Sequence, residues 1–222
     1  MASPLTAVAL FHVGSLPITK PVVTTWAIMA GMTLAAWLMT RRLSLRPDRR
    51  QAALELVVLG LLGQIEEVLR KDARPYLPLL GTLFLFLVVA NLSGLVPGVE
   101  APTSKLETTG ALAAIVFVSV QSFGVRAQGL WGYLAAFGQP KLIMLPLNLV
   151  SEVTRHFSLM VRLFGNVMSG EFIIALLLAL AGLLVPIPLM ALEVLVGLVQ
   201  AYIFTILATV FIGAAIGSVE RG

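Results

Sequence analysis

Five uncharged stretches constrain this chain more than anything else in it: residues 21–40, 75–99, 108–125, 172–192 and 194–219. Each meets or approaches the roughly 20 residues that cross a bilayer as a helix. Together with a further helix-forming segment around Arg162 they fill most of the chain, so the expected fold is all-α, a polytopic membrane protein with five or six membrane helices. Composition agrees, since 59% of residues are hydrophobic and only 12% charged, with a mean hydropathy of +0.98. Soluble domains carry about 25% charged residues. No internal repeat or low-complexity tract divides residues 1–222, which read as a single transmembrane domain. Cysteine is absent, which removes disulfides and thiolate metal sites.

The basic residues set a topology. Arg41, Arg42, Arg46, Arg49 and Arg50 follow the first apolar stretch, Arg70, Lys71 and Arg74 precede the second, and Lys105 alone occupies the next connection. By the positive-inside rule the 41–74 segment is cytoplasmic and the N-terminal segment 1–20 lies outside. Met1 to Thr19 lacks a basic region ahead of an apolar core, so a cleaved signal peptide is not expected. The net charge of +4 is thereby a matter of topology, and no nucleic-acid partner is implied. Between Arg49 and Lys71, leucines and valines alternate with Glu55, Gln64, Glu66 and Glu67, which suits an amphipathic helix on the cytoplasmic interface or a solvated connecting helix. A helical hairpin follows, out through residues 75–96 to a turn at Pro97-Gly98 and back through Leu106 to Val125. Gly124 to Pro140, with Trp131 and Tyr133, is expected to be an interfacial connection with its aromatics at headgroup level.

From Lys141 onward, Glu152, Arg155, Arg162, Glu171 and Glu193 are embedded in otherwise apolar sequence. Glu152 and Arg155, three apart on one helical face, fit a structural ion pair. Arg162 differs, because an arginine on a membrane helix costs roughly 2.5 to 3.5 kcal/mol on insertion scales and it has no acid one turn away. Its same-face polar neighbours are Ser158 and Asn166. Gly182 to Pro188 is expected to end one helix and begin the next, which makes residues 141–219 a long C-terminal hairpin. In an antiparallel hairpin, residues at equal sequence distance from the centre share a depth. Glu171 and Glu193 share a midpoint at residue 182, Arg162 and Gln200 one at 181, so the two acids are expected together near the outer end and the arginine beside the amide. Two neighbouring carboxylates can hold or pass a proton, or can merely lock the hairpin.

Here the chain resembles a known family. Arg162-Leu163-Phe164-Gly165-Asn166-Val167-Met168-Ser169-Gly170-Glu171 resembles the R-L-F-G-N-x-x-x-G-E signature of subunit a of rotary F-type ATP synthases. Leu198-Val199-Gln200-Ala201-Tyr202-Ile203-Phe204 is similar to the family's L-x-Q-A-(Y/F)-I-F segment, and Pro78 to Pro97, with Asn91-Leu92, to its first central span. The resemblance implies a stator in the bacterial cell inner membrane, N-terminus outside and C-terminus cytoplasmic. Its implied partners are a rotating c-subunit ring, peripheral stalk b subunits and membrane lipid, and its cargo is a proton or a sodium ion. It also implies two offset ion half-channels separated by Arg162, which faces the ring carboxylate and promotes ion release. Glu171, Glu193 and Gln200 match polar positions of the path, and Ser158 and Asn166 match neighbours of the arginine. Some members carry histidine where this chain has Glu193.

Other features carry less. Gly213 and Gly217 make a small-xxx-small pattern expected to support close helix packing or ring contact. His12 and His156 are too far apart in sequence to suggest a metal site, and no phosphate-binding G-x-x-x-x-G-K-[ST] loop occurs. No catalytic residue, metal or cofactor is therefore expected, and the chain is not expected to hydrolyse ATP itself. An intramembrane enzyme would need a nucleophile with a positioned base, and Ser169 has no histidine nearby. A voltage sensor would place arginines at every third position, whereas Arg155 and Arg162 are seven apart. A stand-alone ion-coupled secondary transporter is the main alternative, against which stands the lack of paired, interrupted halves.

Overall fold

The computed structural model describes residues 9–13, 16–41, 49–96, 99–137, 145–182 and 184–217. The expectations for Arg42 and Arg46, the Pro97-Gly98 turn, Pro140 and Lys141 concern residues outside these, as do those for residues 1–8 and 218–222. The fold is all-α apart from one short antiparallel hairpin, β1 (Ala9–Val13) with β2 (Leu16–Thr19), which sequence reading did not foresee. Strands of five and four residues are too short for a periodic signal to stand out.

Six helices follow: α1 (Lys20–Thr40), α2 (Arg49–Leu69), α3 (Leu77–Ser93), α4 (Leu106–Phe137), α5 (Leu145–Ala181) and α6 (Pro186–Ala215), with a one-turn 3-10 helix at Pro102–Ser104 before α4. Four of them, α1, α4, α5 and α6, are long and apolar enough to cross a membrane, and α3 is a shorter apolar helix of 17 residues. The uncharged stretch 172–192 does not form a span of its own. It is divided between the end of α5 and the start of α6, because Gly182 takes a positive φ of 75° that a side chain disfavours, and Pro186 and Pro188 fit a first helical turn.

In the packing, α6 is central, touching α2, α3, α4 and α5. Its buried Ala201, Phe204, Ala208 and Ile212 recur at three- and four-residue steps, matched by Leu80, Leu83 and Leu87 of α3 and by Leu112, Val116 and Val120 of α4. Ile65 and Leu69 bring the end of α2 into the same core, so this helix is anchored to the bundle and exposes Leu56, Val57, Val58 and Leu59 along its first half. Lipid is as apolar as leucine, so close van der Waals fit and interhelical hydrogen bonds hold such a bundle. Several threonine and serine hydroxyls along the helices donate to their own backbone, as with Thr205 to the Ala201 carbonyl and Thr209 to the Thr205 carbonyl.

Two features were not expected. Within α4, Gly129 adopts φ 74°, ψ 161°, and the chain turns back so that the Tyr133 hydroxyl donates to Gln121 Oε1 at 2.5 Å. Tyr133 is therefore buried against Gly124, while Trp131 is exposed. Gly217 lies beyond α6 with φ 67°, ending the helix instead of packing it, and Gln128 Nε2 donates to the Ala215 carbonyl at 2.7 Å, capping that end from α4. Gly213 alone of the two glycines is buried within α6.

Candidate ion-path site

The site is built along α5, whose 37 residues extend about 55 Å, well beyond the roughly 30 Å of a bilayer's hydrocarbon core. His156, Leu159, Leu163 and Val167 form its buried stripe. Phe157, Val161, Phe172, Ile173 and Leu176 are exposed, and Arg162 is exposed among them. The two ion pairs among the described residues join Lys105 to Glu100 and Arg155 to Glu152 at 3.6 Å, and His156 Nδ1 lies 3.9 Å from Glu152 Oε1. None involves Arg162. The Glu152–Arg155 pair expected from the three-residue spacing is thus present, and the absence of a local acid for Arg162 extends across the described residues.

On the side of α5 toward the Gly182 turn lies a narrow cavity of about 20 Å³. Asn91 and Leu95 of the α3 segment, Ala101 of the following loop, Asn166 and Glu171 of α5, and Glu193 and Gln200 of α6 contribute to its lining. Its size compares with the 10–15 Å³ needed to admit one water. Gly170 makes room for Glu193, since a Cβ there would coincide with Glu193 Oε1. The expected meeting of Glu171 and Glu193 is found. Glu171 Oε1 accepts the Ala101 backbone N–H at 3.1 Å, whereas Glu193 Oε1 and Gln200 Nε2 are buried with no protein hydrogen-bond partner.

Gln200 is placed differently from expectation. Asn166 Nδ2 donates to Gln200 Oε1 at 2.7 Å, and Arg162 lines a different depression. The reason is the position of the turn: α5 continues to Ala181 and α6 starts only at Pro186, so the hairpin centre falls after the midpoint of 181 that would pair Gln200 with Arg162. Asn166 and Gln200 have their midpoint at 183, within that turn.

Away from the Gly182 turn, an open groove of about 510 Å³ is lined by Ser151, Thr154, Arg155, Ser158 and Arg162 with Leu207 and Phe211 of α6. Ser158 and Asn166, eight positions apart and about 12 Å along the helix, therefore belong to opposite sides of Arg162, one to the groove and one to the narrow cavity. His156 lies behind the groove wall, its ring 5.0 Å from Phe117 and 5.3 Å from Phe211, with Nδ1 2.9 Å from the Glu152 carbonyl. His12 lies in β1.

A family model described as ATP synthase A chain matches residues 22–213. The chain belongs to the ATP synthase subunit a family. It is similar to ATP synthase subunit a 2 of Bradyrhizobium sp. (strain BTAi1 / ATCC BAA-1182), 72% identical over 221 residues that cover 100% of this chain and 99% of the relative. It is also similar to subunit a 2 of Pelobacter propionicus, at 48% identity over 97% of this chain and 94% of the relative, and to subunit a of Albidiferax ferrireducens, at 49% over 91% and 88%. As a member of the subunit a family it is a multi-pass, non-catalytic membrane component of an F-type ATP synthase, in the part of that machine that carries ion transport.

Two parts of this subunit a site escaped sequence reading. The Ala101 N–H is a backbone group in a loop and leaves no residue-type signal. Asn91 does leave one, as the single amide side chain in a 17-residue apolar helix, where polar groups generally bond across helices.

Proposed function

We propose that this subunit a acts as one transmembrane stator unit with two offset ion half-channels against a rotating ring of c subunits, kept apart by Arg162. The observation that carries the reading is an exposed arginine on an apolar helix face with no acid partner among the described residues. Such a charge is too costly to leave facing hydrocarbon, and a carboxylate on a passing neighbour would satisfy it. The narrow cavity at Glu171, Glu193, Gln200 and Asn166 serves as the half-channel from the outside, and the groove at Ser158 as the cytoplasmic one.

In this reading, an ion enters through the carboxylate pair and neutralises a ring carboxylate, which then can enter lipid; an ionised one cannot do so cheaply. After a turn of the ring, the fixed positive charge of Arg162 attracts the carboxylate in its ionised form and so releases the ion into the groove. The same charge repels a cation trying to pass directly between the half-channels. Glu193 Oε1 and Gln200 Nε2 suit a transfer path because their hydrogen bonds are not spent on the protein. The membrane potential supplies about 2.3 kcal/mol per charge per 100 mV. The cargo is a proton, with sodium as the alternative that measurement of sodium-dependent ATP hydrolysis decides. The setting is the bacterial inner membrane, with segment 1–20 outside, segment 41–74 and the C-terminus cytoplasmic, and b subunits of the peripheral stalk alongside.

The absence of cysteine makes a direct test available. With single cysteines at Ser158→Cys and Asn166→Cys in the assembled synthase, silver ions should inhibit the first only from the cytoplasmic side and the second only from the outer side. Inhibition of both from one side would sink the two-channel reading.

A further inference from the structure

The loop between α3 and α4 meets Glu171 through one backbone N–H, and something must hold that N–H in place. Ala101 is fully buried in extended geometry, with φ −62° and ψ 127°. Its carbonyl accepts the Ser104 N–H at 3.1 Å and the Ser104 hydroxyl at 2.8 Å, while its N–H is given to Glu171 Oε1. Two residues on, the Thr103 hydroxyl, completely buried, donates to Asn91 Oδ1 at 2.9 Å. Asn91 Nδ2 in turn donates to the Gly197 carbonyl of α6 at 2.9 Å. That carbonyl can only accept, which fixes the amide with its oxygen toward Thr103 and obliges the hydroxyl to donate. Gly197 permits the contact, since a Cβ there would lie 3.1 Å from Asn91 Cβ. One amide thus ties α3, the loop and α6 together within the wall of the narrow cavity.

We infer that Asn91 and Thr103 are positioning residues that hold the Ala101 N–H on Glu171 Oε1, so that Glu171 takes up and passes its ion through Oε2 alone. The inference rests on the proposed role of Glu171 in the ion path. A backbone N–H can donate but never accept, so the oxygen it holds is kept as an acceptor in every state of the carboxyl. A proton arriving at the ionised Glu171 carboxylate therefore binds Oε2 and makes the group neutral, and the same oxygen gives the proton up to the next acceptor. A carboxyl without this tether could rotate and present either oxygen, with the orientation lost at each cycle. Ser104, Lys105 and Glu100 of the same segment also stand close to this carboxylate, and Glu193 of α6 shares its cavity.

The test uses the complete synthase in liposomes, reading ATP synthesis against outer pH. Thr103→Val keeps the shape and removes the hydroxyl; it should lower ion flux about tenfold, the scale of losing one hydrogen bond to a charged group, and displace the outer pH profile. Thr103→Ser restores the donor and should recover most of the flux and the original profile. Gly94→Ala approaches from the opposite side, because its Cβ would lie 3.0 Å from Ala101 Cβ and 3.3 Å from Glu171 Oε1. It should displace the profile in the same way while meeting Asn91 only at its backbone carbonyl, 3.7 Å away, and leaving the amide side chain in place, and it decides the matter if the valine variant fails to assemble. An unchanged profile in Thr103→Val, or in Gly94→Ala where the valine variant does not assemble, overturns the inference. Glu171→Gln separates the two levels: full flux in that variant removes the proposed path itself, whereas its loss beside a wild-type profile in Thr103→Val removes only the positioning role.

Discussion

The two ends of the polar stretch on α5 are built in opposite ways. Toward the Gly182 turn, Asn166 and Glu171 line a cavity of about 20 Å³ together with α3, the Ala101 loop and α6. On the other side of Arg162, Ser158 and Arg155 lie in an open groove of about 510 Å³ with only α6 as its second wall. The enclosed end has its geometry set within one chain, down to a backbone N–H on a carboxylate. In the proposed reading, the open end is half of a site. Arg162 stands at the boundary, exposed on an apolar face, and its missing partner is the best argument that a second subunit completes the groove.

Breaking the comparison at the boundary should have the largest effect. Arg162→Ala should abolish both ion-driven ATP synthesis and ATP-driven pumping in a complex that still assembles; coupled pumping at the normal rate would show that the two ends need no separator. Next come the two acids of the enclosed end. If Glu171 and Glu193 serve one path, the losses from Glu171→Gln and Glu193→Gln should be non-additive in proton flux, and strict additivity would assign them separate tasks. Gly170→Ala should be milder, a several-fold loss of flux on the scale of about 1–3 kcal/mol for overpacking, because the new Cβ displaces Glu193 Oε1. Smallest of all is Ser158→Ala at the open end, where water replaces a lost hydroxyl at little cost; a change of less than about twofold in synthesis rate is expected. A severe loss there would mean that the groove is as closely fitted in the assembled machine as the cavity is in the single chain.

Much of the enclosed end was legible from spacing. Glu171 and Glu193 sit symmetrically about a Gly-Pro turn, and helix periodicity is regular enough to carry that symmetry into space. The same arithmetic failed for Gln200, because the depth at which two residues meet depends on where a turn closes to within one or two positions. Glu152 and Arg155 were legible because their partnership is local to one helix. The Asn91–Thr103–Gly197 link was not, since its members come from three elements and are 12 and 106 positions apart. The burial of Tyr133 was not legible for a related reason: a positive-φ glycine at 129 folds the chain back and packs the ring against Gly124.

By itself, the sequence determined that this chain is a helical membrane protein, that Arg162 has no partner on its own helix, and which motifs ally it with subunit a. These properties depend on hydrophobicity and on contacts within a few residues, and both are written along the chain. Only the tertiary structure decided that Gln200 bonds Asn166, that Ser158 and Asn166 open to different spaces, and that a loop N–H holds Glu171. Those outcomes depend on where turns close and how helices approach, and an error of one residue in either moves a side chain by about 100° around its helix.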